Sequence, residues 1–455
     1  MKLIGKRAGI LMLLCLLFFA GMVLFLITYF KDAPKWVAAP MNQHIFANGK
    51  LANAGRILDA DGRGLVYSEG GERKYNGDSE TRVATMHLVG DRNGNVSTSL
   101  QVTYLSKLSG WNFLTGVYSI GNDYGNNIKT TVDADVARVA YSALNGRKGT
   151  VGVMNYETGD LVCMVSSTSF DPSNPPDVAA DPAKYDGVYI NRLMSATYTP
   201  GSIFKLVTAS AALNEIPGIY ERTFACSGAV TIGNGQITCM HAHGNQNFSD
   251  TLVNSCNVAY AEMAREIGPV KMMQYAKNAG LNTELKMNGI SVSTGVFDLN
   301  NADELALSWA GVGQSKTLIN PLSYLQFVAS IANDGKLVSP NIIDSIKTPE
   351  GIPAHISFDL PGGSSMDANT ARALQRMMRA CVTENYGEGG LQGYNMSAKT
   401  GTAETSEDSS PHSWYCGFLN NDNAPLAFIV LVENGGSGSS AAYDVAKKVL
   451  AEAVK

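Results

Sequence analysis

The apolar pattern begins with one long run near the N-terminus. Residues 8–30 contain no charged side chain, and a helix of this length, at about 1.5 Å per residue, spans a hydrocarbon core of about 30 Å. Lys2, Lys6 and Arg7 precede the run, which favours a cytoplasmic N-terminus. A cleaved signal peptide is the alternative, but its apolar region is usually only about 7–15 residues long and ends at a small-residue site. The pattern therefore predicts an uncleaved single-pass anchor, with the following residues outside the membrane.

The pattern changes again near residue 148. Residues 31–147 form short segments rich in Gly and Asn, with apolar and polar positions alternating at 83–89 and 99–104. A strand, turn and strand are predicted over 56–66. Because nothing here has the arrangement of a catalytic site, we expect a small non-catalytic module that supports the chain or binds a partner.

Residues 148–455 have the pattern of an α/β (α+β) domain. A β-hairpin is predicted over 149–166, and further strands follow a helical middle, so both ends of this region are expected to share one sheet. The predicted helices cover 204–214, 250–267, 270–279, 305–311, 321–333, 367–383 and 440–454, and the late strands cover 395–403, 413–420 and 427–433.

Composition and charge exclude several classes of function. The 455 residues carry a net charge of -5, and Lys and Arg are scattered, so no nucleic-acid partner is expected. The histidines are dispersed except for His241 and His243, for which an exposed turn is the favoured interpretation, and no Cys-x-x-Cys occurs. We therefore expect no metal and no cofactor. Cys226 and Cys239 flank a predicted hairpin, and whether they form a disulfide stays open.

The first candidate for chemistry is the segment from Thr199 to Lys205. Ser202 and Lys205 are three residues apart at the start of a predicted helix, so they share one face. The helix N-terminus favours developing negative charge, and a buried lysine with a lowered pKa can activate a serine hydroxyl. A Ser-x-x-Lys pair alone is expected about once or twice by chance in a chain of this length.

Two later motifs add polar groups. Asn254-Ser255-Cys256-Asn257 lies inside a helical pattern, where Ser255 and Asn257 bracket a turn and can point two polar side chains into one cleft. Lys399-Thr400-Gly401-Thr402 lies in a predicted strand, where Thr400 and Thr402 face the same way. Gly401 between them allows a ligand to approach the backbone closely.

The three motifs in this order resemble the signature of penicillin-recognising serine acyltransferases. The resemblance extends to flanking segments, namely Tyr198 to Ser202, Asn191-Arg192, Gly311 to Gln314, Asn320 to Leu322 and His412 to Phe418. With its anchor and preceding module, the chain resembles a class B penicillin-binding protein, a peptidoglycan D,D-transpeptidase. The resemblance implies a penicillin-binding transpeptidase and serine β-lactamase-like fold over 148–455. The preceding region is short for this class, so the pathway, whether division, elongation or sporulation, stays open.

The resemblance also implies roles for individual residues. Ser202 would attack the carbonyl of the penultimate D-alanine, with Lys205 as the base. Ser255, helped by Lys399, would relay a proton to the leaving D-alanine. The backbone N–H groups of Ser202 and Thr402 would form the oxyanion hole. Asn257 would hold the peptide backbone of the substrate. The remaining substrate-binding positions would be Cys256, Thr400, Gly401, Thr402 and Trp414, although packing beside the site is the more typical role for Trp414.

The implied partners are stem peptides ending in D-Ala-D-Ala, β-lactams and a polytopic membrane glycan polymerase, all at the bacterial cell membrane. Three alternatives remain at this point. A D,D-carboxypeptidase would use water as the acceptor, and a β-lactamase would need an acidic residue to activate water, for which the sequence shows no clear candidate. A catalytically silent β-lactam-binding scaffold of a wall-synthesis complex is the non-enzymatic alternative.

Overall fold

The computed structural model describes residues 2–37, 39, 45–47, 50–110, 125–355, 362–404, 410–436 and 441–455. The α-helices are α1 (Lys2–Val37), α2 (Ser79–Val89), α3 (Leu100–Thr103), α4 (Leu105–Leu108), α5 (Ala134–Leu144), α6 (Arg192–Ser195), α7 (Lys205–Glu215), α8 (Phe248–Val253), α9 (Asn257–Ile267), α10 (Pro269–Asn278), α11 (Glu304–Gly311), α12 (Pro321–Ala332), α13 (Ala368–Cys381) and α14 (Ala441–Ala453). The strands are β1 (Phe46–Ala47), β2 (Lys50–Leu51), β3 (Ile57–Leu58), β4 (Gly64–Glu69), β5 (Glu72–Tyr75), β6 (Asn127–Thr130), β7 (Gly149–Asn155), β8 (Leu161–Ser167), β9 (Phe224–Cys226), β10 (Ala229–Ile232), β11 (Gly235–Thr238), β12 (Gly244–Gln246), β13 (Lys286–Met287), β14 (Ile290–Ser291), β15 (Ile343–Lys347), β16 (Pro353–His355), β17 (Met396–Ala403), β18 (His412–Leu419) and β19 (Leu426–Val432).

The N-terminal helix α1 carries the apolar run. Its segment Ile4–Ala33 contains an 18-residue window with a mean hydropathy of 3.1 and is long and apolar enough to cross a membrane. Large apolar side chains such as Leu13 and Phe18 are exposed along it. Exposed apolar surface of this length is costly in water and stable in lipid, which agrees with the predicted membrane anchor.

A five-stranded antiparallel sheet forms the centre of residues 148–455, in the order β17-β18-β19-β7-β8. Every residue of β19 is buried, so both faces of the sheet are covered. Helices α5 and α14 pack together against β8 and β19, and α12 and α13 pack together against β19 and β17. Because β7 pairs with β19 and β8 pairs with β7, the prediction that both ends share one sheet is confirmed.

A second sheet has the order β16-β15-β6-β3-β4-β5 and combines distant parts of the chain. Strand β15 pairs with β6, with Ile343 opposite Thr130. The predicted strand–turn–strand over 56–66 corresponds to β3 and β4. The inserted strands β15 and β16 were not predicted, because the sequence pattern carries no signal for pairing over such a distance.

The predictions differ from the structure in two respects. Alternation at 83–89 and 99–104 is typical of strands, but the second segment lies largely in α3. The first segment lies in α2, which Asp78 caps by accepting hydrogen bonds from the backbone N–H groups of Glu80 and Thr81. The single helix predicted over 250–267 is interrupted, since α8 ends at Val253 and α9 begins at Asn257. The interruption is the Ser255-Cys256 pair, where Ser255 has a left-handed φ of 51°.

Candidate active site

A tight turn places Ser202 at the start of α7. Gly201–Phe204 forms a 3-10 turn, and Gly201 has a φ of 56°. A Cβ at Gly201 would lie 2.2 Å from the carbonyl oxygen of Thr402, and the Gly201 N–H donates to the carbonyl of Gly313 at 2.9 Å. The position therefore needs glycine for both its backbone angle and its space. The turn that carries Ser202 therefore packs closely against Thr402 of strand β17.

The segment that leads to Ser202 is anchored by a partly buried carboxylate that the sequence did not reveal. Glu433 accepts hydrogen bonds from Arg192 Nε at 2.7 Å and from the Tyr198 hydroxyl at 2.9 Å. Burial and the Glu433 carboxylate raise the pKa of Tyr198. Trp414 Nε1 donates to the carbonyl of Thr199 at 3.0 Å. These contacts fix the segment that leads into the serine turn.

The amine of Lys205 lies at the centre of the site. Its Nζ is 3.0 Å from Ser202 Oγ and 3.0 Å from Ser255 Oγ. It is also 2.7 Å from the carbonyl oxygen of Ser255 and 2.7 Å from Asn257 Oδ1. Three motif residues therefore meet at one nitrogen, although Ser255 and Asn257 lie about fifty positions beyond Lys205 in the chain.

The hydrogen-bond pattern suits a neutral amine. A neutral lysine has two hydrogens and one lone pair, and the carbonyl of Ser255 and Oδ1 of Asn257 are acceptors that take both hydrogens. The Asn257 orientation fits this pattern, because its Nδ2 donates to the carbonyl of Thr238 at 2.7 Å. Complete burial and the charge of nearby Lys399 lower the pKa of Lys205 well below 10.5. The lone pair can then accept the proton of Ser202.

Strand β17 supplies the third motif. Lys399 is fully buried, and its Nζ lies 3.2 Å from the Tyr386 hydroxyl and 3.2 Å from the carbonyl of Thr400. The same Tyr386 hydroxyl is 3.0 Å from Thr400 Oγ1. Sequence reasoning missed Tyr386, because the predicted helix ended at residue 383 and the π-helical turn Val382–Tyr386 after α13 was not expected. No local pattern would have pointed this tyrosine at β17.

The three motifs line an open cleft of about 630 Å³. Among the predicted site residues, its walls include Ser202, Ser255, Asn257, Thr400 and Thr402. The buried amines of Lys205 and Lys399 approach the same residues from behind this surface. Glu404 lies on the wall as well and is an acidic residue that the sequence analysis did not consider.

Two predicted substrate contacts are not placed at the cleft surface. Trp414 is fully buried in the central sheet, where its indole bonds to Thr199. Cys256 is also fully buried, and its sulfur faces Cys239 at 3.9 Å. Both side chains lie behind the wall, so we assign neither of them a direct contact with substrate. Gly401 acts through its missing side chain, because a Cβ there would lie 2.9 Å from the carbonyl of Pro200.

The wall behind the second motif also gathers groups able to hold a metal. Ligand atoms of Cys226, Cys239, His243 and Cys256 all lie within 4.8 Å of one another. The cysteines of this cluster are free thiols in the structure, including Cys226 and Cys239.

Comparison with known proteins agrees with this geometry. A family model described as the penicillin-binding protein transpeptidase domain matches residues 149–453. The chain is similar to the peptidoglycan D,D-transpeptidase PbpA of Mycolicibacterium smegmatis, with 29% identity over 73% of each chain. It is also similar to stage V sporulation protein D of Bacillus subtilis, with 26% identity over 68% of this chain and 50% of that protein.

Solved structures show the same fold. Penicillin-binding protein A from Mycobacterium tuberculosis, solved as a penicillin G acyl-enzyme complex, matches with a TM-score of 0.78 and 24% identity over 89% of this chain and 100% of that chain. The D,D-transpeptidase domain of a peptidoglycan glycosyltransferase from Eggerthella lenta matches with a TM-score of 0.75 and 22% identity over 88% of this chain and 97% of that chain. The family match covers most of the sequence and includes all three motifs. The chain therefore belongs to the penicillin-binding protein transpeptidase family, in which it is a class B member.

Proposed function

We propose that this chain is a peptidoglycan D,D-transpeptidase that crosslinks stem peptides through an acyl-enzyme on Ser202. The observation that carries the proposal is the position of Lys205. Its Nζ lies 3.0 Å from Ser202 Oγ, while two carbonyl oxygens occupy its hydrogens. That arrangement activates a serine hydroxyl without a histidine.

Acylation begins when Ser202 Oγ attacks the carbonyl carbon of the penultimate D-alanine and Lys205 takes the hydroxyl proton. The backbone N–H groups of Ser202 and Thr402 hold the oxyanion. The peptide bond then breaks, and Ser255 passes a proton to the leaving D-alanine, since Ser255 Oγ is 3.0 Å from Lys205 Nζ. An amine of a neighbouring stem peptide attacks the resulting ester, forms the crosslink and regenerates the serine.

Substrate recognition follows from the cleft wall. Thr400 and Thr402 present two hydroxyls to the terminal carboxylate, and the positive charge of Lys399 attracts this carboxylate from behind the wall. Asn257 Nδ2 uses one hydrogen for the carbonyl of Thr238, which leaves the second for the substrate backbone. A β-lactam presents a similar carboxylate and a reactive carbonyl, and it acylates the same serine. The penicillin G acyl-enzyme of the M. tuberculosis protein supports this assignment.

The apolar helix α1 supports a reaction on the outer side of the membrane. In the proposal, α1 is a single-pass anchor in the bacterial cell membrane, with its N-terminus in the cytoplasm and residues 148–455 outside. Residues 31–147 form a module that contacts a polytopic membrane glycan polymerase. Replacing residues 8–30 with an unrelated membrane span is expected to impair complementation of a deletion strain. Full complementation by the replaced anchor would contradict the predicted contact through α1.

A fluorescent penicillin tests the central claim. Purified wild-type protein is expected to gain one covalent adduct by gel fluorescence and intact mass, and Ser202→Ala is expected to gain none. Ser210→Ala removes a buried hydroxyl from the same helix and is the matched control, which should label like wild type. Labelling of Ser202→Ala, or no adduct on wild type, would refute the assignment of the nucleophile.

The acceptor is tested with lipid-linked substrate and a glycan polymerase. We expect crosslinked peptide dimers together with released D-alanine. D-alanine release without dimers would identify a carboxypeptidase, and rapid turnover of a β-lactam would identify a β-lactamase. Complementation by Ser202→Ala would identify a scaffold whose chemistry is dispensable.

A further inference from the structure

Four ligand-type side chains converge directly behind the second motif. Cys226 ends β9, Cys239 follows β11, His243 precedes β12, and Cys256 is the N-cap of α9. Antiparallel pairing of β9 with β12 sets Cys226 opposite Gly244, the neighbour of His243. In the hairpin of β10 and β11, Ala229 lies opposite Thr238, so the next residue, Cys239, lies close to Cys226. The spacing of these four residues in the sequence matches no metal-binding motif, because the folding of the strands and α9 brings them together.

Three distances inside this cluster match the edges of a tetrahedron. Zn²⁺ binds sulfur at about 2.3 Å and imidazole nitrogen at about 2.0 Å, which places two sulfurs about 3.8 Å apart and a sulfur and a nitrogen about 3.5 Å apart. In the structure, Cys226 Sγ lies 3.8 Å from Cys239 Sγ and 3.4 Å from His243 Nδ1. Cys239 Sγ lies 3.9 Å from Cys256 Sγ.

A disulfide explains the cluster less well. A bond between Cys226 and Cys239 needs a sulfur separation of about 2.0 Å. It would also not explain why Cys256 and His243 lie beside these two cysteines. A metal uses all four groups at the separations observed. Cys226 and Cys256 are buried, whereas Cys239 and His243 are half-buried and leave a path from solvent.

We propose that Cys226, Cys239, His243 and Cys256 bind one Zn²⁺ in a closed structural site. Three thiols release their protons to solvent on binding, and the neutral imidazole binds through Nδ1. Four protein ligands complete the tetrahedron, so no position remains for a reacting water. This proposal departs from the expectation that the chain needs no metal.

The site acts on catalysis through position. Cys256 lies between Ser255 and Asn257, both of which contact Lys205 Nζ. On the other side of the cluster, Thr238 precedes Cys239 and its carbonyl accepts from Asn257 Nδ2. A zinc ion would therefore tie the β10–β11 hairpin to the turn before α9, and it would hold the partners of Lys205 in place. Cys226, Cys239 and His243 are positioning residues in this proposal.

Metal content is the primary test. The full-length protein, purified in detergent without chelator and dialysed, is expected to contain about one zinc per chain by elemental mass spectrometry. Cys226→Ser and His243→Gln are expected to lose most of it, whereas Cys163→Ala, which removes a buried thiol outside the cluster, keeps it. Refolding with Co²⁺ should give the thiolate-to-cobalt absorption of a tetrahedral site. Wild-type protein without zinc, or a Cys226–Cys239 disulfide found by peptide mapping without reductant, would overturn the proposal.

Thiol labelling of the wild type tests the site without any variant. Cys226, Cys239 and Cys256 should resist alkylation in the protein as purified, become reactive after a chelator, and regain protection when Zn²⁺ is added back. Labelling that ignores the chelator would overturn metal binding. Chelation should also slow acylation by fluorescent penicillin about tenfold or more, and an unchanged rate would refute the positioning role. Because zinc content is measured independently of acylation, failure of the metal site is distinguishable from failure of the proposed enzyme function.

Discussion

The role of Lys205 gives the sharpest quantitative prediction. Lys205→Met keeps the length of the side chain and removes the base that faces Ser202 Oγ. General base catalysis is typically worth about 10²–10⁴ in rate, so the acylation rate constant for a fluorescent penicillin should fall by this factor, equivalent to about 3–5 kcal/mol in the barrier. The variant also leaves the carbonyl of Ser255 and Oδ1 of Asn257 without their donor. Lys277→Met changes an exposed lysine on α10 and should acylate like wild type.

The pH profile of wild-type acylation follows from the same amine. Burial and Lys399 lower the pKa of Lys205 well below 10.5, while Cys239 and Cys256 act in the opposite direction. Below that pKa the amine holds a proton and cannot act as a base, so the rate should fall about tenfold per pH unit as the pH decreases. Above it the amine is neutral, and the rate should reach a plateau before the pH reaches 10.5.

Two results would refute this reasoning. The first is a wild-type rate that still climbs tenfold per pH unit up to the ordinary lysine pKa, since the amine would then be charged at neutral pH. The second is a Lys205→Met protein that stays folded by its thermal melt yet acylates at the wild-type rate. Stopped-flow fluorescence and a thermal melt of the same samples separate chemistry from stability.

Three further predictions concern other parts of the molecule. Tyr386→Phe should lower the acylation rate constant about tenfold and leave Tm unchanged, because Lys399 and Thr400 lose a hydroxyl that both contact. Tyr415→Phe on β18 is the control. Gly201→Ala should destabilise the protein by about 2 kcal/mol or more and block labelling, because its Cβ would clash with the carbonyl oxygen of Thr402. Gly62 also has a positive φ but has open space around it, so the control Gly62→Ala should cost about 1 kcal/mol. Burial lowers the pKa of His87 from 6.5 to about 4. Between pH 6.5 and pH 4 the unfolded chain therefore binds a proton that the folded chain does not, and the free energy of unfolding should fall by up to about 3 kcal/mol as the pH decreases. His87→Gln should reduce this acid-dependent loss in thermal melts, and an unchanged loss would contradict the assignment.

Most of the central domain could be predicted because its apolar pattern is local. The predicted strand over 427–433 corresponds to β19, and the predicted helix over 321–333 corresponds to α12. The site residues were found through three motifs, each of which is short and contiguous. What the motifs could not give is their meeting point at Lys205 Nζ, because that contact depends on the left-handed turn at Ser255.

The missed features all depend on tertiary contact. Tyr386 reaches β17 only through a π-helical turn, and Glu433 reaches Arg192 across the folded domain. The cysteine cluster combines residues from β9, β11 and α9, so its spacing matches no linear motif. Cys256, the middle residue of the second motif, and Trp414, from the aromatic segment after the third, were included among the implied substrate-binding positions. Alternation along a strand and the cap of a helix instead turn their side chains inward.

The sheet that joins β6 to β15 has a consequence for how the protein is made. The Thr131 hydroxyl donates to the carbonyl of Asn341, 210 residues further along the chain. In the proposed topology, strand β6 therefore leaves the export channel long before its partner, and its edge stays unpaired until β15 arrives. During that interval the exported segment is open to proteases and to pairing with other chains. This topology therefore requires that the first half be protected outside the membrane until the second half has emerged.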